Sequence, residues 1–330
     1  MNAIYLLSTD SYEKIYGEPE RIDISRLVDI CGPTQTAETI AVNPDVLNEV
    51  DVILSGWGCA RMDEEFLRHA PRLKIVLYGA GSVKGFVTDA FWERGICLVG
   101  GWAANAVPVA EYVLSQILFC LKHGWQFALR IRDEGMYPQC WNVPGAYDST
   151  VGIISLGQTG RKTAEFLRPF DLEVLAYDPF VSPKDAAGLK LTMRSLEEIF
   201  ERSDVVSLHT PNLPETQGMI RGEHFEAMKP GATFINSGRG AVVREDEMIE
   251  VLSRRTEDLF AVLDVTHPEP PAAGSPLYTL PNVVLTPHIA GAMSSECRRN
   301  GRYMVEELER FLNDRPLRYE IKREHVARLA

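Results

Sequence analysis

The sequence predicts an α/β protein of two domains, each a doubly wound parallel sheet covered by helices on both faces. Short apolar runs rich in β-branched residues alternate with helix-like stretches from one end of the chain to the other. This alternation is typical of parallel strands joined by helical crossovers. It falls into two series, and the second begins at Val151. The chain has 330 residues, which is more than one compact core usually holds, so we expect two domains.

The first series predicts four strands separated by helices. The predicted strands are Ala3–Leu7, Asp51–Leu54, Lys74–Leu77 and Cys97–Val99. The helix-like segments between them are Asn43–Val50, Asp63–His69 and Thr88–Arg94.

A longer helix is predicted next, from Asn105 to Leu121. Asn105 can cap a helix, and Pro108 suits a first turn. Apolar residues then recur with helical spacing as far as Leu121. The stretch 124–150 lacks such spacing but carries two Trp. It therefore predicts an arm packed on another surface, such as a second subunit, rather than a disordered linker.

The second series predicts six strands and a closing helix. The strands are Val151–Ile154, Glu173–Tyr177, Asp204–Leu208, Ala232–Ile235, Phe260–Val265 and Val283–Leu285. Their continuous apolar character indicates a parallel sheet buried on both faces. Apolar residues between Cys297 and Leu312 then share one helical face.

Composition excludes several classes of protein. Lys and Arg number 34 against 46 Asp and Glu, for a formal net charge of −12. Such an acidic surface repels phosphate backbones and anionic lipid, so we expect neither a nucleic acid nor a membrane as partner. No apolar run reaches the roughly 18 residues of a membrane span. The six cysteines are widely spaced, which favours reduced thiols, no metal site and a cytoplasmic protein.

The segment after Val151 carries the pattern of a dinucleotide-binding turn. Ser155-Leu-Gly157-Gln-Thr-Gly160 matches GxGxxG except for Ser at its first position. Gly157 would admit a pyrophosphate, the amides of Gln158 and Thr159 would point at it, and Gly160 would allow close packing of helix on strand. Asp178 follows Gly160 by 18 residues, where a carboxylate binds ribose hydroxyls and repels a 2′-phosphate. The pattern predicts NAD rather than NADP, with Ser155 straining the turn.

Three later segments place ionisable residues just past predicted strands. They contribute Arg239, then Asp264 with Glu269, then His288. Because ligands bind beyond the carboxyl ends of parallel strands, these residues are expected to converge on one crevice. His288 is suited to protonate a carbonyl oxygen, Glu269 to orient it, and Arg239 to bind a substrate carboxylate. Each residue alone also has a purely structural interpretation, and His267 ranks below His288 as the acid.

Together these motifs resemble the D-isomer-specific 2-hydroxyacid dehydrogenases. The matching segments, in chain order, are GIISLGQTG with YDP, HTPNLPET, NSGRGAVV, LDV with EP, and TPHIAG. The resemblance implies a flavodoxin-like substrate domain over residues 1–104 and 292–330, with a Rossmann NAD-binding domain inserted over 105–291. It also implies a homodimer that has the helix from Asn105 and the following arm in its interface.

The resemblance also implies the roles of individual residues. Arg239, Glu269 and His288 would be catalytic. The substrate would contact Tyr78, Gly79, Ala80, Gly81, Arg239 and His288. The NAD site would be formed by Gly157, Gln158, Thr159, Gly160, Asp178, His209, Thr210, Pro211, Thr216, Ser237, Gly238, Asp264 and Gly291.

Departures from the family pattern leave the substrate open. Lys84, Arg244 and Thr266 stand where the family often has other residues. The expected reaction is the NAD-dependent interconversion of a 2-keto acid and a D-2-hydroxy acid. The alternatives are a hydroxypyruvate/glyoxylate reductase or phosphoglycerate dehydrogenase-type enzyme, and, from another class, an NAD(H)-sensing binding protein similar to corepressors built on this fold.

Overall fold

The computed structural model describes residues 1–139 and 143–326. The chain divides into two compact units, Met1–Asn105 with Ala292–Ala330, and Ala106–Gly291. Each unit holds one all-parallel sheet, of five and seven strands respectively. The predicted α/β class with two parallel sheets is confirmed.

The first unit begins with five strands in the spatial order β2-β1-β3-β4-β5. They are β1 Asn2–Leu6, β2 Asp29–Ile30, β3 Val52–Ser55, β4 Ile75–Tyr78 and β5 Cys97–Gly100. The helices between them are α1 Thr9–Ile15, α2 Glu18–Leu27, α3 Ala37–Val42, α4 Glu64–His69 and α5 Asp89–Glu93. The helix expected over Asn43–Val50 is only the short 3-10 turn Pro44–Leu47. A capping box at Thr36 starts α3 earlier, and α3 ends before Pro44.

Two helices follow, α6 Trp102–Cys120 and α7 Gly124–Glu134. Helix α6 begins three residues before the predicted Asn105, so Pro108 lies inside it. The first part of the expected arm is the regular helix α7 rather than irregular chain, and its packing on a second subunit stays a prediction. None of the α7 residues is fully buried, and only Trp125 and Leu129 pack, partly buried, against the core. Residues 140–142 of the expected arm, Cys140 among them, lie outside the described residues.

Within the described part of the chain, α6 alone has the length and apolar composition of a membrane-crossing helix. Its residues Ala110, Val113 and Ile117 are fully buried. Val113 and Ile117 belong to a core cluster that also contains Val151 and Ile153 of the sheet behind them. Helix α6 is therefore a partly buried core helix.

The second unit holds seven strands in the spatial order β12-β11-β10-β9-β6-β7-β8. The strands are β6 Tyr147–Ile154, β7 Asp171–Tyr177, β8 Thr192–Met193, β9 Val205–Leu208, β10 Ala232–Asn236, β11 Leu259–Leu263 and β12 Val283–Leu285. The helices are α8 Gln158–Leu167, α9 Pro183–Gly188, α10 Leu196–Arg202, α11 Gly222–Ala227 and α12 Glu245–Arg254. The strand order reverses at β6, so a ligand crevice is expected beyond the carboxyl ends of β6 and β9.

The chain then returns to the first unit through α13 Cys297–Leu312 and α14 Arg323–Val326. Met304 and Leu308 of α13 pack against Leu54 and Leu77 of the first sheet. Gly301 weakens the helix, but a Cβ there would lie 2.0 Å from the backbone oxygen of Ile15. The glycine therefore lets α13 approach the end of α1 closely.

Candidate active site

The glycine turn between β6 and α8 has two glycines with different surroundings. A Cβ on Gly160 would lie 2.1 Å from the carbonyl oxygen of Ser155, so only glycine permits the observed packing of helix on strand. A Cβ on Gly157 would meet nothing within 4 Å. Gly157 caps α8 without a side-chain hydrogen bond. The first amides of α8, including those of Gln158 and Thr159, therefore have no intrahelical partner and can donate to an anion.

Ser155 adopts a left-handed backbone with φ of 74°. This conformation is costly for a residue with a Cβ, so the predicted strain in the turn is present. Its hydroxyl lies 2.8 Å from the hydroxyl of Thr210, which follows β9. Thr210 is buried. The serine at the first position of the motif therefore connects the two segments that follow neighbouring strands at the reversal of the sheet.

Asp178 stands at the end of β7, as the motif predicts, and its carboxylate is already oriented by the backbone. Oδ2 accepts a 2.7 Å hydrogen bond from the amide of Leu156. Oδ1 accepts one of 2.8 Å from the amide of Phe180. Each oxygen retains a further lone pair, so the carboxylate can still accept hydrogen bonds from a ribose.

The segment after β9 presents a buried histidine. His209 Nε2 lies 3.0 Å from Ser207 Oγ, while its buried Nδ1 has no partner among the described residues. Burial lowers the pKa of His209 to about 4, so the ring is neutral near pH 7. Thr216 Oγ1 donates to the carbonyl of Pro211 at 2.6 Å and fixes the same loop.

The segment after β10 carries Ser237, Gly238 and Arg239. Ser237 Oγ is buried and lacks a partner within the described chain. Gly238 packs against the end of β9, since its Cβ would lie 3.1 Å from the oxygen of Leu208. Arg239 donates to the carbonyl of Gly238 at 2.7 Å, and burial lowers the pKa of its guanidinium.

The loops carrying Arg239 and Glu269 touch through backbone atoms. A Cβ on Gly240 would lie 2.1 Å from the carbonyl oxygen of Thr266. The amide of His267 donates to Glu245 Oε2 at 2.8 Å, and Thr266 Oγ1 donates to the carbonyl of Pro268 at 2.8 Å. The side chain of Glu245, which sequence reasoning missed, therefore anchors the loop that leads to Glu269.

Glu269 and His288 form a direct pair. His288 Nδ1 lies 2.6 Å from Glu269 Oε1. The side chains of His288 and Glu269 are about half exposed, at 47% and 43%. Because a carboxylate accepts, we assign the proton of this bond to Nδ1, which leaves Nε2 free to exchange a proton with a ligand. The side chain of His267 takes no part in this pair.

Asp264 holds the backbone around His288. Oδ1 accepts from Thr286 Oγ1 at 2.6 Å and from the amide of Ile289 at 2.8 Å. Oδ2 accepts from the amide of Ala290 at 2.9 Å. The resemblance assigns Asp264 to the cofactor, and Oδ2, which accepts one bond from its own chain, can still accept another. Gly291, which follows Ala290, is the last residue of the second unit.

The predicted substrate turn lies in the first unit, after β4. The amide of Gly79 donates to the carbonyl of Ser55 and that of Ala80 to the carbonyl of Tyr78. Of the amides of Gly79, Ala80 and Gly81, only that of Gly81 has no hydrogen-bond acceptor within the described chain, so it can donate to a substrate. The ring of Tyr78 is buried against Phe86 at 4.6 Å between centroids, so it belongs to the core.

These features of the second unit fit a dinucleotide. The space beside Gly157, the uncapped start of α8 and the Asp178 carboxylate match a pyrophosphate and its ribose. The buried, unpartnered atoms His209 Nδ1 and Ser237 Oγ offer further polar contacts. The described residues contain no group of three or more His, Cys, Asp or Glu side chains that could hold a metal.

Comparison with known proteins identifies an NAD-binding domain in the second unit. A family model for the D-isomer specific 2-hydroxyacid dehydrogenase, NAD binding domain, matches residues 114–290. The D-3-phosphoglycerate dehydrogenase of Mycobacterium tuberculosis H37Rv is 32% identical over 260 residues, covering 79% of this chain and 49% of that protein. The chain thus spans about half the length of the curated relatives it matches.

Solved structures extend the likeness over the whole chain. The TT0316 protein from Thermus thermophilus is 27% identical, with a TM-score of 0.72 over 98% of this chain and 100% of that one. The NAD-complexed D-isomer specific 2-hydroxyacid dehydrogenase from Lactobacillus delbrueckii ssp. bulgaricus is 21% identical, with a TM-score of 0.80 over the same shares. The latter shows a shared fold.

The second unit is thus an NAD-binding domain. The chain belongs to the D-isomer specific 2-hydroxyacid dehydrogenase family, whose NAD-binding domain it contains.

Proposed function

We propose that this protein interconverts a 2-keto acid and a D-2-hydroxy acid with NAD(H). The observation that carries the proposal is the hydrogen bond of 2.6 Å between His288 Nδ1 and Glu269 Oε1. This pair lies in the same unit as the NAD-binding turn, on segments that follow neighbouring strands β11 and β12.

The residues divide the chemistry among them. When bound, NADH supplies the hydride that the carbonyl carbon of a 2-keto acid accepts. His288 Nε2 donates a proton to the carbonyl oxygen, and in the reverse direction it removes the proton of the hydroxyl. Glu269 orients the ring through Nδ1. The planar guanidinium of Arg239 pairs with the substrate carboxylate.

The proposed cofactor contacts rest on the second unit. The amides of Gln158 and Thr159 bind the pyrophosphate, and Asp178 binds the adenosine ribose and disfavours a 2′-phosphate. We assign the remaining contacts to Gly157, Gly160, His209, Thr210, Pro211, Thr216, Ser237, Gly238, Asp264 and Gly291. Backbone contacts from Tyr78 to Gly81 to the substrate carboxylate stay a prediction from the sequence.

Phosphoglycerate oxidation is the second candidate reaction. It is supported by the relatives called D-3-phosphoglycerate dehydrogenase, of which this chain spans about half. A phosphorylated substrate needs an additional cation, and the segment Ser55-Gly-Trp-Gly58 supplies none, although Arg61 is near in sequence. We therefore favour an unphosphorylated 2-keto acid.

We further propose a cytoplasmic homodimer that buries the outer faces of α6 and α7. Phe119 of α6 is 43% exposed, and Tyr137, three residues beyond the end of α7, is 89% exposed. No α7 residue is buried. An apolar face of this kind is typical of a subunit interface. Sedimentation should give a dimer for the wild type and a monomer for Phe119→Glu. A monomeric wild type would contradict the proposal.

The reaction is tested with a panel of 2-keto acids, and turnover of each is measured as the loss of NADH absorbance. The panel contains glyoxylate, hydroxypyruvate, pyruvate, 2-ketoisocaproate, phenylpyruvate and oxaloacetate, with NADPH in parallel. 3-Phosphoglycerate with NAD⁺ tests the second candidate. Turnover of one keto acid with NADH in preference to NADPH supports the proposal. Tight NADH binding without any turnover would instead favour an NAD(H)-sensing binding protein.

A further inference from the structure

We propose that Tyr112, Thr286 and Asp264 form a hydrogen-bonded relay that fixes the loop of His288, which makes Tyr112 a positioning residue for proton transfer. The relay deepens the proposed dehydrogenase function and rests on it for its catalytic consequence. All three residues belong to the second unit. Tyr112 comes from α6, a helix whose only predicted role is in a subunit interface.

The direction of each hydrogen bond follows from the donors present. The amides of Ile289 and Ala290 can only donate, so both oxygens of Asp264 accept. Thr286 Oγ1 donates its single proton to Asp264 Oδ1 at 2.6 Å. The hydroxyl of Tyr112, 2.9 Å from Thr286 Oγ1, must therefore be the donor in that contact.

The order of these bonds requires Tyr112 to keep its proton. Burial raises the pKa of the Tyr112 hydroxyl, while the contact with Thr286 acts in the opposite direction. The phenol is thus a neutral donor throughout the physiological range. Without the Tyr112 hydroxyl, Thr286 Oγ1 would have no protein donor for its remaining lone pair, which is costly because the site is partly buried.

His288 needs such support because its backbone is strained. Its φ is 54°, a left-handed conformation that is costly for a side chain with a Cβ. The amide of His288 donates to the backbone oxygens of Asp264 and Thr286, both at 3.0 Å. Tyr112 contacts the side chain of one of these two residues, Thr286, and through Thr286 it is linked to the side chain of the other, Asp264.

A loop under strain relaxes when one of its restraints is removed, and a small displacement of a catalytic atom lowers the rate strongly. Tyr112→Phe keeps the ring and removes only the hydroxyl. It should change kcat and leave KM and NADH binding nearly unaltered, because it leaves Arg239, the glycine turn and the carboxylate of Asp264 in place.

The experiment compares three relay variants with a matched control. For Tyr112→Phe we expect kcat for the best 2-keto acid to fall about 10-fold, with KM and the NADH Kd changed less than about 2-fold. Thr286→Val should lower kcat about 100-fold. Thr286→Ser keeps the hydroxyl and should restore most of the activity. Tyr147→Phe removes a hydroxyl from an exposed tyrosine and should behave as the wild type.

A second measurement does not depend on turnover. Amide hydrogen exchange at Ile289 and Ala290 should be about 10-fold faster in Tyr112→Phe than in the wild type. If the wild type turns over no substrate, the proposed function fails while this measurement still decides the relay. Unchanged exchange at both amides overturns the relay. Faster exchange with unchanged kcat overturns the positioning role.

Discussion

The ring of His288 and the carboxylate of Glu269 are joined by a 2.6 Å contact between Nδ1 and Oε1, although 19 residues separate them in the chain. The two side chains reach each other because β11 and β12 are adjacent and parallel, so the loops after them lie at the same edge of the sheet. The pairing of two strands therefore brings the proposed acid and its orienting carboxylate together.

Removal of the acid should stop the chemistry without preventing cofactor binding. We expect His288→Gln to lower kcat about 1,000-fold, since general acid–base catalysis contributes on this scale. Glu269→Gln keeps an acceptor for Nδ1 and should lose less activity. Steady-state kinetics and an NADH fluorescence titration check both variants. Comparable kcat for His288→Gln and the wild type would exclude His288 as the acid.

The two glycines of the cofactor turn should respond in opposite ways to alanine. Gly160→Ala forces a Cβ against the oxygen of Ser155 at 2.1 Å, and should cost about 2 kcal/mol or more of unfolding free energy. Gly157→Ala meets open space, so stability should be retained while NADH binds about 10-fold more weakly or worse. Urea unfolding and NADH titration of both proteins test the pair. Equal stability of the two variants contradicts the prediction.

Ser155 should reveal the separate effects of strain and hydrogen bonding. Ser155→Gly and Ser155→Ala both remove the bond to Thr210, but only alanine retains the penalty of a φ of 74°. The alanine variant should therefore be less stable than the glycine variant by about 1 kcal/mol. Both should bind NADH about 5-fold more weakly than the wild type. Thermal unfolding with and without NADH makes the comparison.

Acid should destabilise the protein through His209. Burial lowers its pKa from 6.5 to about 4, so between these values the unfolded chain binds a proton that the folded protein does not. The contribution of the neutral His209 ring to the unfolding free energy is fully present above about pH 6.5 and is lost as the pH falls toward 4. Over this range the unfolding free energy should fall by about 2–3 kcal/mol more in the wild type than in His209→Asn. Parallel curves for the two proteins would show that His209 is not buried as a neutral ring.

Sequence patterns located the strands and the chemistry better than the helices and the supporting contacts. Buried parallel strands appear as continuous apolar runs, so β3, β4 and β9 were found within a residue or two. Helix α7 was missed because none of its residues is fully buried and only Trp125 and Leu129 pack against the core, which leaves a weak apolar pattern. Helix α1 was missed because it is only seven residues long and mostly polar.

The contacts around His288 were beyond the reach of local patterns. Tyr112 and Thr286 are 174 residues apart, and Tyr112 occupies an ordinary position on an amphipathic helix. Asp264 was identified from its place after a strand, but its bonds to Ile289 and Ala290 depend on how β11 and β12 pair. Such contacts come from tertiary packing rather than from spacing along the chain.

Asn105 and Ala292 are the positions at which the chain leaves the first unit and returns to it. Asn105 Oδ1 accepts a 3.0 Å hydrogen bond from the amide of Ala292, so the chain positions flanking residues 106–291 are neighbours in the first unit. Excision of the intervening residues would leave two ends that a short linker can close. Because the two ends are close together, a dinucleotide-binding domain can be inserted between them, exchanged or removed while the first unit keeps its own fold.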